Sequence, residues 1–167
     1  MLRPFRVSDA PAVHEYGSDP VVTEHTDFGP NTWDDTLGYL QTATKPTPPT
    51  IELGITLRGD DTVVGAVHAH PEAPGTWEMG WVLRRDLWGQ GIMTEAAGAV
   101  FDYLASQDDV AVIFARCRPA NVASAKVMEK LGMRYVETIA RDREVGGEWF
   151  DSRVYEAELR TAPRVTA

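Results

Sequence analysis

The stretch Glu78-Met79-Gly80-Trp81-Val82-Leu83-Arg84-Arg85-Asp86-Leu87-Trp88-Gly89-Gln90-Gly91-Ile92-Met93-Thr94-Glu95-Ala96 decides how this chain folds. From Thr76 to Leu83 the pattern is that of a strand, with Trp77, Met79, Trp81 and Leu83 on one face and Thr76, Glu78, Gly80 and Val82 on the other. Two glycines one residue apart, Gly89 and Gly91, then permit a sharp turn and a close approach of backbone to a ligand. Beyond them a helical period runs from Ile92 through Ala97, Val100, Phe101 and Leu104. The start of that helix offers unpaired N–H groups and a positive dipole end. Strand, glycine turn and helix start in this order make either a cradle for a pyrophosphate or simply a tight strand-to-helix connection.

Working outward, Val110 to Cys117 is a short apolar run bounded by charge and Pro119, which predicts a buried strand. Asn121 to Leu131 resumes the helical period through Val127, Met128 and Leu131, with Asn121 as N-cap and Gly132 as C-cap. Strands over Tyr135 to Arg143 and Trp149 to Leu159 follow, joined at Gly146 and Gly147. Upstream, Leu2 to Arg6 alternates like a short strand, and Ser8 and Asp9 cap a helix ending near Tyr16 and Gly17. Asn31 and Thr32 offer caps to a second helix through Trp33, Leu37 and Leu40, ended by the prolines between Lys45 and Pro49. Ile51 to Leu57 and Thr62 to Ala69 pair as a hairpin over Gly59-Asp60-Asp61, and a turn from Pro71 to Gly75 leads back to Thr76. The order βααβββαβαββ predicts an α/β (α+β) domain whose mixed sheet is mostly antiparallel, with one parallel strand-helix-strand step. No repeat or linker divides it, so residues 1–160 are expected to form one domain, with a flexible tail over 161–167.

Composition narrows the function. The 167 residues carry 16 Lys plus Arg against 25 Asp plus Glu, a formal net charge of −9. Such a surface repels phosphate backbones and draws in cations, so no nucleic-acid partner is expected and amines are the more plausible ligands. The content of 43% hydrophobic and 25% charged residues is that of an ordinary globular domain. The single cysteine, Cys117, cannot form an internal disulfide or a thiolate cluster, so a cytoplasmic location is expected. No apolar stretch approaches the roughly 18 residues that span a bilayer, so no membrane is expected.

Three segments taken together resemble the GNAT superfamily of acetyl-CoA-dependent N-acetyltransferases, most closely its RimJ/RimL-type branch. They are Glu78 to Leu83 with Trp88 to Ala96, Asn121-Val122-Ala123-Ser124, and Glu129-Lys130-Leu131-Gly132-Met133. The likeness extends from Leu2-Arg3-Pro4 to Trp149-Phe150-Asp151-Ser152. It implies the acyl-CoA N-acyltransferase fold, with helices on both faces of the sheet and a cofactor cleft where two central strands splay apart. By the same resemblance, acetyl-CoA is the co-substrate. Backbone groups of Val82 and Leu83 would pair with its pantetheine arm, and N–H groups of Trp88, Gly89, Gln90, Gly91, Ile92, Met93 and Thr94 would hold its pyrophosphate. Asn121 would bind the cofactor arm, and Ser124 would lie near the thioester sulfur as proton donor to the leaving thiolate. Glu78 is the family-matched base, directly or through water, and the Leu83 N–H would face the thioester oxygen. The implied reaction is direct attack by a primary amine in a ternary complex, without an acyl-enzyme and without a metal. Acceptors in this branch include protein N-terminal amines, polyamines and amine-bearing antibiotics, and several relatives are homodimers.

The residues themselves leave alternatives. Glu78 is a base or else a half-exposed strand carboxylate paired with a nearby arginine, and Asn121 a ligand or a simple cap. Asp86 places an anion beside the proposed phosphate site, with Arg84 and Arg85 available to offset it. Met128 stands where many superfamily members have a tyrosine acid, which leaves that role to Ser124 or solvent and supports the alternative of a non-catalytic acyl-CoA-binding module. Met133 replaces a usual Phe, a hydrophobic swap of modest consequence. A nucleotide-binding Rossmann reading fails because position 94 is Thr rather than a third glycine. His68 and His70 share a strand face and could join Glu72 around a metal, but such a pair is ordinarily structural. Cys117, in an apolar run, is expected to be inert. By the resemblance, Trp33 and the acidic residues Asp27, Asp34 and Asp35 lie in the region that would wall the acceptor site, whereas a charge run by itself is more often a solvated helix end.

Overall fold

In the computed structural model, which describes residues 1–159, seven strands form one sheet in the order β1-β2-β3-β4-β5-β7-β6. The strands are β1 (Leu2–Arg3), β2 (Ile51–Leu57), β3 (Asp60–Ala73), β4 (Thr76–Leu83), β5 (Val112–Cys117), β6 (Arg134–Val145) and β7 (Glu148–Glu158). Five helices accompany them: α1 (Ala10–Gly17), α2 (Pro20–Thr23), α3 (Trp33–Ala43), α4 (Ile92–Ala105) and α5 (Val122–Lys130). The tail expected over 161–167 lies outside the described residues.

Every strand pair is antiparallel except β4 with β5, the parallel step that the α4 crossover makes possible. Two apolar cores sit on opposite faces of the sheet. Met79, Ile113, Leu104, Val100 and Met128 build one with α4 and α5, whereas Phe5, Val13, Tyr16, Leu40 and Val63 build the other with α1 and α3. The mixed, mostly antiparallel sheet with helices on both faces is the architecture expected from the sequence.

Three local differences have physical causes. Helix α2 is too short for any periodicity to reveal; it begins on Pro20 and is capped by Asp19, whose Oδ1 accepts from the Val21 N–H at 2.8 Å. Strand β1 stops at Arg3, because Pro4 has no N–H to offer a ladder. Strand β3 runs on through Pro71 to Ala73 with an irregularity there, so the turn tightens to Pro74 and Gly75, the latter at φ +74°. A Thr32–Asp35 capping box opens α3, in which the Asp35 carboxylate accepts from the Thr32 N–H at 2.9 Å.

Two features position the site. The β4–β5 ladder runs only from Thr76↔Val112 to Met79↔Ala115, and the strands then part, as the splayed-cleft expectation required. The β6–β7 ladder is interrupted between Ile139 and Arg143, where Arg141 adopts φ +52° and its N–H donates to Asp151 Oδ1 at 2.9 Å. That bulge, at a strained non-glycine position, turns Asp142 and Arg143 toward β4 and β5.

Candidate active site

Where β4 and β5 part, a cleft of about 580 Å³ opens, and Val82, Leu83, Trp88, Gly89, Gly91, Ile92, Met93, Thr94, Asn121 and Ser124 all line it. The loop owes its path to its glycines. Gly89 and Gly91 adopt φ of +75° and +80°, the left-handed region that L side chains enter at a cost, and Gly91 is the N-cap of α4. No side chain caps this helix start, so its first N–H groups face the cleft free to meet an anion. Gln90 alone among the expected loop residues does not line the cleft; its side-chain amide turns back to donate to the Asp86 carbonyl at 3.0 Å. Trp88 is fixed by its indole N–H, which donates to the Leu83 carbonyl at 2.8 Å.

Asp86 does not spoil this anion site. Arg84 grips both its oxygens, at 2.7 and 3.1 Å, and these bonds hold the Asp86 carboxyl below the usual range. On the far wall Asn121 Oδ1 accepts from the Ser124 N–H at 3.0 Å, so the simple cap exists, and the amide nitrogen of Asn121 is left to face the cleft. Sequence reasoning missed Lys126 and Lys130, one helical turn apart on α5, which line the same cleft as cations suited to phosphate. Their i, i+4 spacing was visible in the chain, but which way that helix face points was not.

A second cavity, of about 170 Å³, joins the cleft at His25, Thr26, Trp81, Asn121 and Ser124. The junction passes through the sheet. Glu78, Gly80 and His68 belong to the face shared with α1 and α3, whereas Ser124 lies on α5 against the opposite face, and the parted strands bring them to one cavity. Among the described residues no hydrogen bond engages the Ser124 hydroxyl, which leaves it available at the junction.

Glu78 is buried and ion-paired, the arginine-paired alternative of the two readings in the sequence. Arg116 donates to its Oε1 from Nε at 2.9 Å and to its Oε2 from an Nη at 2.8 Å, Arg143 stands 3.5 Å away and His70 Nε2 3.8 Å away. Arg116 also reaches Asp142 at 3.5 Å. Neither arginine was legible, because a strand pair fixes them only through register. His70 Nε2 donates to Glu72 Oε1 at 2.9 Å, and with Glu78 these groups lie within 4.8 Å of one another. Glu78's full engagement by Arg116 makes this an ion-pair network rather than a metal cage.

Of the residues expected at the acceptor wall, only Asp27 lines the second cavity, where its carboxylate stands 3.7 Å from Arg143. Trp33 packs edge-on against His14 instead, and Asp35 is spent in the capping box; neither they nor Asp34 line either cavity. The segment 24–26 is strapped down by Arg118, whose guanidinium donates to the Glu24 and Thr26 carbonyls at 3.0 Å and lies 3.6 Å over the Phe150 ring. Cys117 is buried at the wall of the second cavity, and burial pushes its thiol up. Met128 and Met133 are buried core residues.

The family profile described as Acetyltransferase (GNAT) domain matches residues 1–134. The uncharacterized N-acetyltransferase YnaD of Bacillus subtilis is 29% identical over 156 residues, covering 93% of this chain and 91% of its own length. The crystal structure of an acetyltransferase (GNAT family) from Bacillus anthracis superimposes with a TM-score of 0.86 at 31% identity, over 95% of this chain and 93% of that one. RimL, a ribosomal L7/L12 alpha-N-protein acetyltransferase solved with coenzyme A, shares the fold at a TM-score of 0.78 and 18% identity, over 94% of this chain and 92% of its own.

Proposed function

This chain belongs to the GNAT acetyltransferase family and is an acyltransferase, and from that premise we propose that it moves the acetyl group of acetyl-CoA to a primary amine by direct attack in a ternary complex. The observation that carries the proposal is the single opening at which the uncapped start of α4, the parted ends of β4 and β5, and Ser124 meet. Val82 and Leu83 would pair with the pantetheine arm along the unzipped edge of β4. The backbone N–H groups from Trp88 to Thr94 would hold the pyrophosphate, with Lys126 and Lys130 beside it, and Asn121 would bind the arm through its free amide nitrogen. In the smaller cavity the acceptor amine meets the thioester, and Ser124 donates a proton to the departing thiolate. The buried Met128 leaves no tyrosine for that step.

The acceptor is a small amine-bearing group or chain end, since the second cavity holds about 170 Å³ and its wall mixes Asp27 and Glu78 with Arg116, Arg118 and Arg143. Among the described residues no helix is long and apolar enough to cross a membrane, in keeping with work in the cytoplasm. One domain over residues 1–160 contains both substrates' sites. The outer edge of β6, unpaired among the described residues and carrying exposed Tyr135 and Val136, is the surface a homodimer would use.

Calorimetric titration with acetyl-CoA, with NAD and ATP as controls, tests the premise. Saturable binding of acetyl-CoA alone, followed by CoA release with amines, is the expected result; no binding at millimolar acetyl-CoA overturns it.

A further inference from the structure

Acetyl transfer to an amine leaves one proton to be placed, and the inference that follows rests on the transfer reading above. An ammonium has no lone pair with which to attack a thioester, so a base must first take a proton from it. Glu78 is poorly suited: both its oxygens accept from Arg116, with Arg143 3.5 Å off, so neither is left to take a proton from an incoming ammonium. Asp27 is exposed and faces Arg143.

His68 is placed differently. It lies opposite Gly80 in the β3–β4 ladder, and a Cβ at position 80 would lie 2.4 Å from its Cε1 and Nε2. The absence of a side chain there is what gives the ring its place. The ring stacks near His70, with centroids 6.1 Å apart and planes at 23°, and among the described residues no hydrogen bond engages its nitrogens. It shares the smaller cavity with Ser124 and Asn121, where the thioester and the amine would meet. We propose that His68 is the general base of this site, taking the proton of the acceptor ammonium on a free ring nitrogen.

The surroundings keep that ring neutral. Burial holds the imidazole below its ordinary range and neighbouring His70 adds to this, while Glu78 and Asp27 pull part of the way back. Glu52 of β2 is its other ladder partner, with Oε1 accepting the Tyr39 hydroxyl at 2.6 Å. Arg116 and Cys117 of β5, Arg118 just beyond them, Arg143 of β6, and His25 in the segment after α2 complete the charged and titratable groups around the cavity.

The balance is as follows. The ammonium gives one proton to the His68 ring, and its freed lone pair forms the C–N bond to the thioester carbon. As the C–S bond breaks, the tetrahedral adduct passes its second N–H proton to the departing sulfur through Ser124 or water, the relay regaining from nitrogen the proton it gives to sulfur. His68 returns its proton to solvent, so acetyl-CoA and an ammonium become an amide, CoA and one released proton.

The test measures CoA release from acetyl-CoA with an N-terminal seryl peptide, spermidine and free amino acids, from about pH 5 to about pH 9. His68→Gln is expected to lower kcat by about 100-fold or more and to remove the acidic limb of kcat/KM, with the Kd for acetyl-CoA unchanged. His68→Ala is expected to recover part of its rate when imidazole is added, which a purely structural histidine would not allow. A His68→Gln enzyme that keeps kcat within about three-fold with the limb intact overturns the assignment, as does loss of the limb in His25→Gln instead. Wild type that binds acetyl-CoA and releases CoA with none of these amines overturns the transfer reading itself, and the base with it. If neither His68 variant folds, imidazole 15N titration of the wild type decides. A ring that is neutral at pH 7 and shifts on addition of an accepted amine supports the base, and a ring already protonated there overturns it.

Discussion

Glu78 bears on His68 through its charge. Its negative charge lies between Arg116 and Arg143 and raises the ionisation of His68 toward its ordinary value. Glu78→Gln removes that anion, so the His68 ring drops further and the acidic limb of kcat/KM moves to lower pH rather than vanishing. The same change leaves Arg116, a mostly buried guanidinium, with Asp142 at 3.5 Å and the charge of Glu72, a loss of about 2–3 kcal/mol in urea unfolding. Were Glu78 the base itself, the limb would disappear, and a pH profile of the variant separates the two cases. Gly80 makes the complementary point from the other strand. Any Cβ at position 80 collides with the His68 ring, so Gly80→Ala should push the imidazole out of place and lower kcat at least ten-fold, as loss of the base would. Acetyl-CoA affinity should hold, because Gly80 lines the smaller cavity alone. A normal kcat in Gly80→Ala would mean that the ring position is immaterial.

At the scale of elements, function depends on where regular structure is allowed to fail. The glycine loop is one such place. A Cβ at Gly91 meets nothing within 4 Å, so Gly91→Val costs only its left-handed backbone, about 1–2 kcal/mol, in the free protein. The same side chain sits at the start of α4 where phosphate must approach, so acetyl-CoA binding should weaken far more than stability does, and calorimetry beside thermal melting compares the two losses. Gly65→Ala should do the reverse, since its Cβ would lie 2.4 Å from the Val82 carbonyl across the β3–β4 ladder. Overpacking there should cost about 1–3 kcal/mol in thermal melting. The loop, the Asn121 cap and the β4 alternation were legible because each is written in neighbouring residues. The seven-strand order, the Arg116–Glu78 pair and the bulge that brings in Arg143 were not, since they depend on register between strands distant in sequence. His68 was visible as a residue but not as a base, because its free nitrogens and the facing Gly80 appear only once β3 and β4 are paired. Asp34 and Asp35 read as a charge run, and Asp35 is a helix cap, the helix-end reading of that run.

For the whole molecule, acid stability should rest on a network far from the site. Arg3 donates to both oxygens of Asp9 at 2.8 Å and to Asp61 at 2.7 Å, and the Arg6 N–H donates to Asp9 at 2.8 Å, tying β1 and the turn before α1 to the start of β3. Burial alone would push the Asp9 carboxyl up, but the Arg3 bonds and the Arg6 N–H outweigh it and leave it below its ordinary value. A carboxyl lowered on folding stabilises the native state above its unfolded value near 3.9, and that stability is lost as pH falls through the folded value. Asp9→Asn should therefore cost about 3 kcal/mol at neutral pH, because it leaves a largely buried guanidinium without its main partner. At acid pH, once wild-type Asp9 also binds a proton, the gap between the two proteins should shrink. The comparison has to be a difference, since the net charge is −9 at neutral pH, passes through zero near pH 4.8 and turns positive below it, which changes the self-repulsion of both proteins alike. Urea unfolding of wild type and Asp9→Asn at the two pH values measures it. A gap that stays constant, or that is absent at neutral pH, would show that the Arg3–Asp9 pair contributes no pH-dependent stability.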